Sequence, residues 1–174
     1  MAFEFNLKES DCISGVFLVQ SSSYEDQRGE IWTNYKDGMF SKDIIGSLSF
    51  SHDKFVWNNK NVLRGLHGDN HSYKFVSCPY GAVFQVAADC RPNSSTYGKY
   101  HAVEMSKENR ICMLLPPGVA NGFSVLSDGA LYHYKLAYPD NYLDADEQFT
   151  IKYYDKIFSI EWPTINPLVS SRDL

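Results

Sequence analysis

A chain of 174 residues with a formal net charge of −5 is sized for one domain, residues 1–174. Its mild acidity argues against bulk nucleic-acid binding and leaves room for a local basic pocket. No run is apolar enough to span a bilayer, and Met1–Asn6 has no basic stretch leading into an apolar one. The expectation is a cytoplasmic protein with no membrane segment and no secretory leader.

In chain order the sequence reads as short extended segments separated by turns. Strands are expected at Gly15–Gln20, Glu30–Tyr35, Leu48–Trp57, Val62–His67, Lys74–Cys78, Ala82–Asp89, Tyr100–Met105, Ile111–Leu115, Phe123–Leu126 and Leu131–Tyr138. Turn chemistry lies between them, as in Asp26-Gln27-Arg28-Gly29, Asn58-Asn59-Lys60-Asn61, Pro79-Tyr80-Gly81, Pro116-Pro117-Gly118 and Ser127-Asp128-Gly129. Ser41–Ile45 reads as a short helical turn capped by Ser41, and Asp140–Leu174 as an irregular tail. The fold class expected is all-β: a double-stranded jelly roll or cupin-like barrel with few helical turns. The cysteines Cys12, Cys78, Cys90 and Cys112 are scattered without a Cys-x-x-Cys pair and read as buried small hydrophobes.

Arg64-Gly65-Leu66-His67 is the most informative stretch. His67 ends an extended run with cations nearby, which suits a general base acting on a carbon acid. A metal ligand is the alternative, because His67, Asp69 and His71 alternate; a structural histidine is the third reading. Strict alternation puts Arg64 and His67 on opposite strand faces. A bulge at Gly65 is therefore required if both serve one site. Lys74 opens an apolar strand, either at a wet rim or in a pocket where it balances negative charge on a substrate oxygen. Tyr132 and Tyr134 share a strand face; Tyr134 is either a packing group with a polar tip or a phenol, with a reference pKa near ~10, able to donate a proton. Arg28 is either a solvated turn residue or a guanidinium fork for a diphosphate.

Taken together, Asp26-x-Arg28-Gly29, Val62–His67, Lys74-Phe75-Val76, Gly81-Ala82-Val83, Asp89-Cys90-Arg91, Ser95–Gly98, Pro116–Ala120, Tyr134-Lys135, Tyr142, Trp162-Pro163 and Ser170–Asp173 resemble the dTDP-4-dehydrorhamnose 3,5-epimerase family over nearly the whole chain. The resemblance implies a jelly-roll sugar-nucleotide epimerase with no cofactor and no metal, working as a homodimer on a nucleotide sugar. It implies His67 as base, Asp173 as its orienting carboxylate, Tyr134 as acid, and Lys74 and Arg64 around a developing enolate. Arg28 is then a diphosphate contact, in place within one chain or supplied across a dimer. Tyr24, His52, Lys54, Asp69 and Asn121 join Arg64 and Arg28 as substrate-binding residues.

Three stretches depart from the family's usual pattern. His52-Asp53-Lys54 stands for Gln-x-Asn, Gly68-Asp69 for an aromatic and Gln, and Asn121 for the histidine of Ala-His-Gly-Phe. With Tyr134-Lys135-Leu136-Ala137-Tyr138, they are similar to a subgroup acting on GDP-linked 4-keto-heptoses for bacterial capsules, inverting carbon 3 alone or carbons 3 and 5. Rival readings are a metal-dependent cupin enzyme, separated by metal analysis; a non-catalytic sugar-binding jelly roll, separated by hydrogen exchange; and a 3,4-ketoisomerase, which would move the ketone.

Overall fold

The computed structural model describes residues 4–174. Met1–Phe3, on which part of the leader reading rests, lie outside the described residues. The strands are β1 (Phe5–Glu9), β2 (Phe17–Ser21), β3 (Ser23–Asp26), β4 (Gly29–Trp32), β5 (His52–Asn59), β6 (Leu63–Gly68), β7 (Tyr73–Tyr80), β8 (Ala82–Asp89), β9 (Tyr100–Ser106), β10 (Ile111–Leu115), β11 (Val119–Val125), β12 (Gly129–Ala137) and β13 (Phe149–Thr150), with α1 at Lys42–Ile45. One antiparallel sheet runs β1-β2-β10-β7-β12-β5, a second β13-β6-β11-β8-β9, and β3 pairs with β4 apart from both. This is the all-β jelly roll expected.

Period-two alternation explains how these strands make layers. Val76, Met113 and Tyr132 of the first sheet meet Val83, Met105, Phe123 and Val125 of the second in one central core. The intervening residues are also covered. Phe75, Cys112 and Leu114, on the outer face of the first sheet, pack under Phe40 and Ile45 of the α1 segment. Leu66, Val86, Ala88 and Ala120, on the outer face of the second, pack under Phe158 of the tail, with Phe149 and Trp162 alongside. Burial on both faces is why β7, β8 and β11 are apolar almost throughout, which hides their alternation.

Several boundaries differ from expectation. β1, β3 and β13 were not foreseen: β1 and β3 alternate polar residues on wet edges, and β13 is two residues long. β11 starts at Val119, so the Pro116–Gly118 turn leads straight into it and Asn121 lies on a strand. β5 starts at His52, and Phe50 instead joins Tyr35, Phe40 and Phe75 in an aromatic cluster with ring separations of 5.3–6.2 Å. Ser41 occupies the N-cap position but makes no side-chain capping bond. Cys12 is exposed and Cys90 half-buried, which corrects the buried reading for these two; Cys78 and Cys112 are buried as expected. Burial pushes the Cys78 and Cys112 thiols up to about 12 and that of Cys90 to about 11, which makes them inert. No helix among the described residues is long and apolar enough to cross a membrane.

The tail is irregular, as expected, yet it is hydrogen-bonded to one edge. Ile151 and Leu66 exchange backbone bonds of 2.9 and 3.0 Å, and Leu63 N–H donates to Leu168 O at 3.0 Å. These contacts run the tail along the free edge of β6 and deliver Asp173 beside His67. Gly68 permits the close approach: a Cβ there would overlap the Phe149 ring.

Candidate active site

The alternation difficulty at Arg64 and His67 is resolved by an irregularity at Gly65. β11 pairs Asn121 with His67 and Phe123 with Arg64, so β6 carries one extra residue over that step. Gly65 sits at φ +118°, and a Cβ there would lie 2.6 Å from Gly122 Cα. Only glycine fits this approach. Both Arg64 and His67 consequently line one cavity of about 260 Å³, together with Lys54, Lys74, Asn121 and Tyr134.

His67 Nε2 lies 2.6 Å from Asp173 Oδ1. An ionised carboxylate can only accept, so Nε2 carries a hydrogen, and in the neutral imidazole the lone pair is then on Nδ1. Burial favours the protonated form of Asp173, but bonds from His67, Ser170 Oγ at 2.9 Å and the Gly65 amide outweigh it and hold the carboxyl below its usual range. Its ionised form is thus the one the fold stabilises. That contribution is complete above the free-carboxylate pKa of about 4 and is lost as pH falls below it, through the lowered pKa of the folded state.

Lys74, 5 % exposed, faces Asp69, with Nζ 3.2 Å from Oδ2. Burial pulls the Lys74 ammonium below its ordinary pKa; Asp69 opposes this, and the charges of Arg172 and Lys54 add to the lowering. Burial would raise the Asp69 carboxyl, but the Lys74 charge and the amides of His71 and Ser72 hold it down. Asp69 therefore stands behind Lys74 and does not line the cavity. Asp69→Asn should cost about 3–5 kcal/mol in urea unfolding, because it strands a buried ammonium, and should lower the Lys74 pKa further.

Tyr134 belongs to the facing sheet, so its phenol and the His67 ring come to the cavity from opposite layers. Burial pushes that phenol above its ordinary pKa, with Arg64 pulling the other way, so it stays protonated at neutral pH. Arg64 Nε donates to buried Asn58 Oδ1 at 2.7 Å, which fixes the guanidinium at the cavity. Lys54 Nζ donates to Tyr142 Oη at 2.8 Å. His52 packs edge-on against Tyr142, 4.8 Å between centroids, and supports that wall without forming it.

Sequence reasoning missed Val56, Leu136, Tyr142, Asp144, Gln148 and Arg172 in the lining. Val56 lies two residues from Lys54 and Leu136 two from Tyr134, so strand alternation could have found them. Arg172 precedes Asp173 and is held by Thr150 Oγ1 at 2.8 Å and Gln148 O at 3.1 Å. Tyr24 and Arg28 sit on the β3–β4 hairpin, outside the lining; Arg28 pairs with Asp26. The metal reading of His67, Asp69 and His71 finds no common point: His67 engages Asp173, Asp69 engages Lys74, and among the described residues no group of three His, Cys, Asp or Glu could hold an ion.

A cavity walled by Lys54, Arg64, Lys74 and Arg172 attracts anions and stabilises negative charge developing on an oxygen. A base oriented by a carboxylate and a neutral phenol on facing sheets can exchange a proton between the two faces of one carbon.

Residues 10–174 match the family described as dTDP-4-dehydrorhamnose 3,5-epimerase. The chain is 36% identical over 165 residues to the dTDP-4-dehydrorhamnose 3,5-epimerase of Shigella flexneri, covering 93% of this chain and 90% of that one. Among solved structures it is similar to the dTDP-6-deoxy-D-glucose-3,5-epimerase of Legionella pneumophila in complex with dTDP-4-keto-L-rhamnose (31% identity, TM-score 0.88, 98% and 90% covered). It is also similar to a 4-keto-6-deoxy sugar epimerase of Streptomyces spheroides (28% identity, TM-score 0.89, 98% and 85% covered).

Proposed function

We propose that this chain, which belongs to the dTDP-4-dehydrorhamnose 3,5-epimerase family, inverts carbon 3, or carbons 3 and 5, of a nucleotide-linked sugar bearing a ketone at carbon 4. It is an enzyme of the isomerase class. One observation carries the reading: His67 with Asp173, Lys74, and Tyr134 from the facing sheet all meet at one cavity. The ketone acidifies the hydrogens on its neighbouring carbons. His67 takes one of them, and the charge moves onto the ketone oxygen, where Lys74 and Arg64 balance it. Tyr134 returns a proton to the other face, so the centre inverts. The step has no net redox change.

The sugar nucleotide we favour is a GDP-linked 4-keto-heptose of capsular polysaccharide synthesis. Supporting it are the sequences at His52-Asp53-Lys54, Gly68-Asp69 and Asn121, where this chain departs from the family's usual pattern. A dTDP-linked 4-keto-6-deoxyhexose is the second reading, favoured by the names of the relatives. Incubation with each sugar in deuterated water, followed by proton spectra, tests both. Exchange at carbon 3 of the heptose is expected; exchange with only the dTDP sugar replaces the substrate, and exchange with neither overturns the epimerase reading.

We further propose that residues 1–174 act as one domain in a homodimer built on the outer face of the first sheet. Phe55, Trp57 and Tyr80 there are each more than half exposed, at 60, 56 and 58%, and the Trp57 and Tyr80 ring centroids lie 5.8 Å apart, an apolar cluster suited to an interface. A monomer by light scattering at micromolar concentration would overturn the dimer. Arg28, on a hairpin free of both sheets, then reaches the diphosphate in the second copy's site. Arg28→Ala should raise KM roughly tenfold with kcat within about twofold, as measured by steady-state kinetics.

A further inference from the structure

Behind Asn121 lie two fully buried polar side chains, Gln85 and Tyr132, both 0% exposed. Their hydrogen bonds have a polarity dictated from one end. Gln85 Nε2 donates to Val86 O at 3.0 Å, and a backbone carbonyl can only accept. That nitrogen therefore also donates to Asn121 Oδ1, at 2.7 Å, while Gln85 Oε1 accepts the Tyr132 hydroxyl proton. The Tyr132 oxygen also lies 3.2 Å from Asn121 Oδ1. Tyr132 itself is held by stacking on Phe123, 4.0 Å between centroids at 12°. With its oxygen committed inward, Asn121 has only Nδ2 to present to the cavity it lines.

We propose that Gln85 and Tyr132 are positioning residues that lock the Asn121 amide with its donor, and never its acceptor, toward an oxygen of the sugar. The inference rests on the epimerase reading above. An enolate oxygen accepts hydrogen bonds and donates none, so Nδ2 stabilises it, whereas a rotated amide would aim lone pairs at it. The donor is neutral and keeps its proton, so it adds to the work of Lys74 without a titration of its own.

Gln85→Glu keeps the shape of the side chain and reverses the polarity when ionised. The carboxylate then takes the Asn121 amide hydrogens and turns Oδ1 into the cavity. At pH 8 we expect kcat about a hundredfold down with KM within about threefold. The ratio of variant to wild-type kcat should climb toward one as acid protonates Glu and restores a donor. Tyr132→Phe preserves the stack on Phe123 and removes only the hydroxyl that orients Gln85; kcat should fall about fivefold to tenfold, again with little change in KM. These variants should be compared by exchange of the carbon 3 hydrogen in deuterated water. A structural role alone would lower the melting temperature and leave the kcat ratio flat with pH. Unchanged kcat in folded Tyr132→Phe overturns the positioning role and leaves the epimerase reading standing, as does a flat ratio near one in folded Gln85→Glu once its carboxyl is shown to be ionised by infrared difference spectra. Absence of exchange in the wild type overturns both.

Discussion

His67→Asn is expected to lower turnover about a thousandfold or more while the far-ultraviolet spectrum and melting curve stay close to wild type. The imidazole is the group whose Nδ1 lone pair is left open once Asp173 has taken Nε2 at 2.6 Å. Asparagine supplies no base of comparable strength; its amide is too short to reach where Nε2 sat, but Asp173 keeps its bonds from Ser170 Oγ and the Gly65 amide, so chemistry is lost and the fold is not. The His67 side chain is 24% exposed, so its removal opens no deep void. Exchange of substrate hydrogen with solvent should vanish together with inversion, because both begin with the same abstraction. Full activity in this variant would remove His67 from the reaction.

Tyr134→Phe should separate the two halves of the reaction. Abstraction by His67 is untouched, and its partly open ring exchanges its captured proton with solvent, so deuterium should still enter the substrate. Reprotonation on the opposite face loses its donor, and inversion should fall about a hundredfold to a thousandfold. The ring remains, so its edge-on contact with Tyr132, 4.8 Å between centroids, is kept, and stability should change by less than about 1 kcal/mol. The reading is a single time course scored twice, once for deuterium and once for the new stereoisomer. Inversion at the wild-type rate would show that the proton on the second face comes from elsewhere.

His67→Asn and Tyr134→Phe concern residues that the chain itself advertises. A histidine after Arg64-Gly65-Leu66 can be read as a base from residue type and its neighbours, whereas Tyr134 stays open between packing group and acid until the family resemblance implies its role. The all-β class can be read as well, because turn chemistry recurs at short intervals between runs of β-branched and aromatic residues. The requirement for a bulge at Gly65 also followed from sequence, since period two would otherwise part Arg64 from His67.

What residue type and periodicity alone could not decide is which distant residues stand behind these; Asp173 is named only through the family resemblance. Asp173 is 106 positions from His67 and meets it because the tail hydrogen-bonds along the edge of β6. Asp69 carries an acidic side chain beside the histidine and looked like part of the sugar wall, yet the turn of His71 and Ser72 folds it under Lys74. Gln85 and Tyr132 looked like ordinary strand residues, and only the facing of two sheets puts them behind Asn121. The physical reason is common to all of these. Local sequence sets the period, the turns and the chemistry of each side chain. The partner that turns an imidazole into a base, or an amide into a one-sided donor, is chosen by sheet pairing and layer packing over long chain separations.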